Sequence, residues 1–325
     1  MRLLLALAAL VAALGLASLL VGPAGAPPGA ALRALAFGDG TPLTLVMREI
    51  RAPRAILAGM VGASLGLSGA ALQGYLRNPL AEPGLIGVTG AAALGAVIAL
   101  QTGIASAAAL ALPASALAGA ALSTGLVIAL AGPRGGSLSL ILAGIAVAAL
   151  AGALTSLVLN LSPNPYAAAE IVFWTLGSVA DRSFAHVWIA APFVLAGWIL
   201  LLGTGRALSA LTLGEDAAAA MGVRLPALRL RLVLGTASCV GAATAVAGAI
   251  GFAGLVVPHL LRPLVGARPA ALLPASMLGG AALVLAADIA VRLVLPERDL
   301  KLGVVMALIG APVFLHLIWR LRERA

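Results

Sequence analysis

Long apolar runs separated by short polar stretches dominate the chain. They cover Leu3–Val21, Ala55–Leu76, Leu85–Gly103, Ala107–Ala131, Leu138–Leu161 and Ala185–Gly203. After a polar interval the pattern resumes at Leu228–Ala249, Ile250–Val265, Ala270–Val294 and Leu302–Trp319. Most of these runs match the roughly 20 apolar residues that cross a bilayer core. The division after residue 249 rests on length. A single helix over Leu228–Leu264 would be about 55 Å long, against a hydrocarbon core of about 30 Å. Gly248, Gly251 and Gly254 offer the break. The first run follows Arg2 and precedes small residues, as in a signal peptide. It is longer than a usual signal core of about 7–15 residues and is read as an uncleaved span. The pattern predicts an all-α polytopic membrane protein with about ten transmembrane helices in one domain over 1–325. An even count puts both termini on one side.

Composition agrees and removes other classes. Hydrophobic residues make up 62% of the 325 and charged residues 10%, too little polar material for the skin of a soluble globule. The single Cys239 rules out a disulfide framework or a cysteine metal site, and His186, His259 and His316 are too scattered for a cluster. The one lysine, Lys301, precedes Leu302. A P-loop needs Gly-Lys-Ser/Thr, so the chain carries no ATPase motif of its own. The net charge of +9 lacks the interleaved aromatics of a nucleic-acid surface. In a membrane protein it marks cytoplasmic loops instead. With the basic tail Arg320, Arg322 and Arg324 inside, twelve basic residues and four acids face the cytoplasm. Eight basic residues and seven acids face outward. This predicts cytoplasmic termini.

Val61–Ala70 reads against Val240–Ala249, with Val, Gly, Ala, Gly and Ala coinciding. The copies would begin at the second and seventh spans and lie in opposite orientations, with helices 2–5 matching 7–10. Such inverted repeats are common in transporters, whose substrate path lies near the repeat interface. Independently of any repeat, Gly62 and Gly66 at spacing four let helices approach closely.

Several polar features stand out. Arg77, Asn78 and Pro79 open a cytoplasmic connection after the second span, read as a rigid helical link or a ligand contact. The segment 211–223 is read as a short cytoplasmic helix. Thr212 and Glu215 have capping-box spacing, Glu215 and Asp216 suit a helix N-terminus, Ala217–Ala220 propagate it and Gly222 stops it. It is a connector or a rigid lever docked on another protein. The segment 163–178 is its outer counterpart, with Asn164 as cap and Pro165 in first position. Arg51, Arg54 and Arg292 are read as an outward basic patch for an acidic partner. Asp288 and Arg292 are also one turn apart, as an ion pair would be. Asn160, Pro258 and His259 are candidates for a path or gate.

At Gly248–Arg262 the sequence resembles the permease subunits of binding-protein-dependent ABC importers for iron chelates and vitamin B12. The same holds for Arg51–Arg54, Ser68–Gln73, Asn78–Ala81 and the Gly303-Val-Val…Ile-Gly-Ala-Pro312 block, in family order from about residue 48 onward. The resemblance implies a homodimer around a central path lined by the fifth, eighth and tenth helices. It implies two separate ATPase subunits carrying ATP-Mg on the cytoplasmic face. A periplasmic binding protein would deliver siderophore, haem or cobalamin. It implies that Leu213, Gly214, Glu215, Asp216, Ala217, Ala218, Met221 and Gly222 dock on the ATPase, and that Arg51, Arg54 and Arg292 meet acids of the binding protein. No catalytic residue, metal site, bound cofactor or nucleic-acid partner is expected in this chain. Where the family often has Glu-Leu-Pro, this chain has Asp299-Leu300-Lys301. The rival reading is a proton-coupled secondary transporter using Asp288, Glu170 and His259 as a relay.

Overall fold

A computed structural model describes residues 1–22, 25–38, 40–108, 110–132, 135–162, 165–294 and 300–322. Its helices are α1 (Arg2–Leu20), α2 (Pro28–Phe37), α3 (Pro42–Leu45), α4 (Ala52–Leu76), α5 (Val88–Gln101), α6 (Ile104–Ala107), α7 (Ala111–Ala131) and α8 (Ser137–Asn160). They continue as α9 (Pro165–Thr175), α10 (Phe184–Leu202), α11 (Gly205–Leu211), α12 (Glu215–Ala220), α13 (Leu225–Ala247), α14 (Ala253–Leu261), α15 (Pro269–Val294) and α16 (Leu302–Arg322). Among the described residues, seven helices are long and apolar enough to span a membrane, and α5 and the Leu302–Leu317 part of α16 are shorter apolar segments. The break predicted at Gly248 is present, but the eighth predicted span is a nine-residue half-helix, α14. At about 1.5 Å per residue it covers less than half of a bilayer core. The bundle has an inner end, marked by α12, and an outer end, where α1 finishes and α16 begins. Helix α1 begins, and α16 finishes, toward the end of the bundle that carries α12.

Close backbone approach builds the centre. A methyl group on Gly62 would overlap the carbonyl oxygen of Gly280, one on Gly280 that of Gly62, and one on Gly66 that of Ser276. These contacts seat α4 directly on α15, as the Gly62/Gly66 spacing predicted. A methyl group on Gly197 of α10 would also crowd the Cys239 sulfur and the Gly235 carbonyl oxygen of α13. In the two segments of the proposed repeat the backbones differ. α4 continues past Gly69 to Leu76, whereas α13 stops at Ala247.

The outer end is held by arginines. A π-helical turn, Val46–Arg51, leads into α4, with Ala52 N–H reaching back five residues to Met47 O. It lies just before Pro53, which has no N–H to continue an α-helical ladder. The turn aims Arg51 at α1, where its Nη1 donates to Leu19 O and Leu20 O, both at 3.0 Å. Arg292 donates to Ser18 O and Val21 O, both at 2.8 Å, and to Ser18 Oγ. The last carbonyls of a helix lack intrahelical donors and carry partial negative charge, so two guanidinium groups are a strong cap. Asp288 fixes this arrangement. It pairs with Arg54 at 2.9 Å and Arg292 at 2.8 Å, and its side chain is 1% exposed. Other helix ends are treated alike. Arg48 caps α2 at Leu35 O and Ala36 O, Arg229 takes Gly132 O and Gly135 O after α7, and Arg182 takes Val246 O near the end of α13. Burial pulls the Arg182 guanidinium below its ordinary pKa, against the opposing pull of Asp181.

Gly280→Val should lower the unfolding midpoint in detergent, at a cost of about 1–3 kcal/mol or more for overpacking. Gly125→Ala, whose added carbon meets nothing within 4 Å, should leave it unchanged or slightly raised. Asp288→Asn should cost about 3–5 kcal/mol, because removing one partner of a buried pair leaves the others uncompensated. A thermal melt of the purified variant checks it.

Candidate functional site

The backbone break between α13 and α14 is the centre of the site. Gly248 takes φ +71, and Phe252, the residue before α14, takes φ +66, a left-handed conformation uncommon outside glycine. Pro258 sits inside α14 and has no N–H, so the carbonyl of Gly254 one turn earlier has no helical donor. Gln73 of α4 supplies it. Its Nε2 lies 3.3 Å from Gly254 O, 3.3 Å from Ala81 O and 3.4 Å from Leu255 O. Its Oε1 accepts from Arg262 Nη2, just past the other end of α14. One buried amide thus joins α4, the 77–87 connection and both ends of the half-helix.

A second tie comes from Glu82, whose Oε1 accepts the Phe252 N–H at 2.7 Å. The carboxylate stands at the positive N-terminal end of α14, where negative charge is favoured. Packing closes the site. A methyl group on Gly69 would overlap Gly254 O, one on Gly310 the Phe252 side chain, and one on Gly303 Leu176 O. Sequence blocks far apart in the chain therefore meet around one half-helix.

The Arg77-Asn78-Pro79 connection is a tight, internally hydrogen-bonded turn. Arg77 ends α4 at φ +48, and Asn78 N–H returns to Gln73 O at 3.2 Å. Asn78 Oδ1 then accepts Leu80 N–H at 2.9 Å. Pro258 is buried, His259 is half-buried near the C-terminal end of α14, and Asn160 is exposed as the last residue of α8.

At the inner end, the short helix expected within 211–223 is α12, and it packs against the preceding α11. Thr212 does not cap α12. Its hydroxyl turns back to Ser209 O at 2.7 Å and finishes α11, a helix the sequence pattern did not suggest. Gly214 is the N-cap, at φ +105, which a side chain would resist. Glu215 and Asp216 lie in the first turn, and Ala217 and Ala218 follow. Gly222 stops the helix as predicted. At φ +86 it donates to Ala219 O at 2.9 Å, while Val223 N–H returns to Ala218 O at 3.0 Å. That pair is a Schellman closure. Ala218 is fully buried with Leu211, Leu228 and Leu232. Leu213 and Met221 stand out at 69% and 64% exposed. The turn is therefore pinned beneath and apolar on top.

The arginines expected to form an outward patch are differently engaged. Arg51 is 4% exposed and Arg292 is half-buried against α1, because both cap that helix. Arg54 keeps 18% of its side chain exposed above Asp288. The relay residues are not contiguous. Asp288 is enclosed by arginines at the outer end, Glu170 is exposed on α9, and His259 lies toward the inner end. On the outer helix, Ile171 is buried and Phe173 exposed, whereas Asn164 falls outside the described residues, as does Asp299 of the departing loop. Gln73, Glu82, Phe252 and Arg262 were given no role from sequence. An uncharged polar residue near the end of a long apolar run was the available signal for Gln73.

The sequence profile of the FecCD transport family matches residues 10–320. The hemin transport system permease protein of Yersinia pestis is 38% identical over 85% of this chain and 84% of its own length. The vitamin B12 import system permease protein of Vibrio cholerae serotype O1 is 38% identical over 84% and 82%. A solved inward-facing structure, assigned to the metal-chelate type of ABC transporter, superposes with a TM-score of 0.87 at 33% identity. The match covers 98% of this chain and 99% of that one. With the profile spanning nearly its whole length, this chain belongs to the FecCD transport family of ABC transporter permeases.

Proposed function

We propose that the chain is the non-catalytic permease subunit of an ATP-driven importer in a bacterial inner membrane, with both termini cytoplasmic. A second copy completes the path, two separate ATPase subunits bind ATP-Mg, and a periplasmic binding protein delivers the cargo. The cargo class is an iron chelate, siderophore or haem, or cobalamin, in line with the haem and B12 permeases it resembles. One observation carries the reading: α13 runs unbroken from the exposed α12 turn to the backbone break above α14. ATP-driven closure of the ATPase pair moves Leu213 and Met221, and buried Ala218 passes that motion to α13. The half-helix, held by Gln73 and Glu82, then changes its angle and gates the path by alternating access.

The fifth span supports a path between two copies. Ala146, Ala149, Ala153, Ser156 and Asn160 are exposed along one face of α8, at the i, i+3, i+4 spacing of a single helical stripe. Small side chains leave room for a bulky ligand. At the outer end, the binding protein meets the exposed edge of Arg54. Proton coupling through Asp288, Glu170 and His259 has no such support, since the three are separated.

Co-reconstitution with candidate ATPase and binding protein should give ATP-dependent uptake of labelled haem, ferric siderophore or cobalamin into liposomes. Uptake without ATP, or driven by a pH gradient with this chain alone, would overturn the reading. Gln73→Leu leaves Gly254 O and Arg262 without their partner. It should reduce transport at least tenfold while the ATPase still co-purifies, whereas wild-type uptake rates would remove α14 from the gate.

A further inference from the structure

Seven arginines of the bundle are held by protein. Arg48, Arg51, Arg54, Arg182, Arg229, Arg262 and Arg292 each meet a carbonyl, an amide oxygen or a carboxylate. Arg206, Arg224 and Arg231 do not. All three are exposed, and none has a partner among the described residues. They line one groove of about 450 Å³ at the inner end, together with Thr204, Met221 and Leu228. No acid lines it. Glu215 faces a separate pocket with Arg229. Three unneutralised guanidinium groups around one concavity repel one another, so the groove is built for an anion.

Its depth says which anion. The groove begins at Gly203 and Thr204, directly after the last residue of the α10 span, and its other wall is the first turns of α13. Immediately outward, Ile199 and Leu202 of α10 and Leu234 of α13 are exposed apolar side chains, as a lipid-facing surface requires. A ligand here has its charge at headgroup level and acyl chains beside it. The free N–H groups at the start of α13 add positive potential, and guanidinium forks match phosphate oxygens bidentately. Basic pockets between membrane helices hold anionic headgroups by this chemistry.

We infer that the Arg206/Arg224/Arg231 groove binds the phosphate headgroup of an anionic phospholipid beside the α12 turn. The site goes beyond the importer reading and stands whatever cargo the protein moves. Lipid occupancy there would set the stiffness of the turn that receives the ATPase.

The test uses the full chain purified in detergent and titrated with dioctanoyl phosphatidylglycerol, dioctanoyl phosphatidylcholine and inorganic phosphate. Bound lipid is counted by native mass spectrometry and the unfolding midpoint followed. Phosphatidylglycerol should bind at least tenfold more tightly than phosphatidylcholine and raise the midpoint. Arg206→Gln/Arg224→Gln/Arg231→Gln should lose at least tenfold in affinity, and Arg231→Gln alone a smaller part. Arg33→Gln, an exposed arginine on α2, should behave as wild type. If the triple variant does not fold, the single variant carries the comparison. Affinity for phosphatidylglycerol kept within twofold in the variants would overturn the proposal. So would equal binding of phosphatidylcholine, or displacement by millimolar inorganic phosphate. Unchanged lipid binding with lost ATPase association would assign the groove to the ATPase instead.

Discussion

The structure depends on guanidinium groups meeting peptide carbonyls at the ends of membrane helices. A helix that stops inside a bundle leaves its last carbonyls without donors, and within a bilayer no water replaces them. This chain holds 20 basic residues and 11 acids, so carboxylates are too few to pair with them all. Backbone carbonyls take several of the rest. Arg51 and Arg292 close α1, Arg48 closes α2, Arg229 closes α7 and Arg182 meets α13. Part of the charge excess is therefore internal structural material.

This arrangement explains why a first helix with little buried surface is nevertheless fixed. Its packing is peripheral, with Ser18 its one buried residue. Its register is set at the outer end by two arginines from different helices, themselves positioned by Asp288. The half-helix α14 follows the same logic with other groups. Proline removes a donor and a glutamine from a neighbouring helix restores it, while the head of the half-helix is held by a carboxylate. In both places the side chain repairs what the backbone lacks.

Much of this was legible in sequence because it follows local rules. The spans, the break at Gly248, the close approach at Gly62 and Gly66, and the stop at Gly222 each rest on apolar length or glycine chemistry. The misread features needed three-dimensional neighbours. Thr212 and Glu215 fit a capping box by spacing, yet Thr212 bonds backward to Ser209 and leaves the cap to Gly214. Arg51 and Arg292 looked outward because charges at span ends usually do, and only α1's arrival between them reveals their acceptors. Gln73 and Glu82 lie 181 and 170 residues from the backbone groups they hold, a separation that no local pattern encodes. α14 looked like a full span because its apolar run continues past the helix end into Pro263–Val265.

The tight seat of Gly197 on Gly235 and Cys239 gives α13 a fulcrum. The helix has 23 residues, with the seat near its middle. The arm toward α12 is then about 18 Å and the arm toward the break about 15 Å, at ~1.5 Å per residue. A rod pivoted there reverses direction and scarcely changes amplitude. In the gating motion proposed above, displacement at the inner end would be returned, nearly undiminished and opposite in sense, at the residues that carry α14.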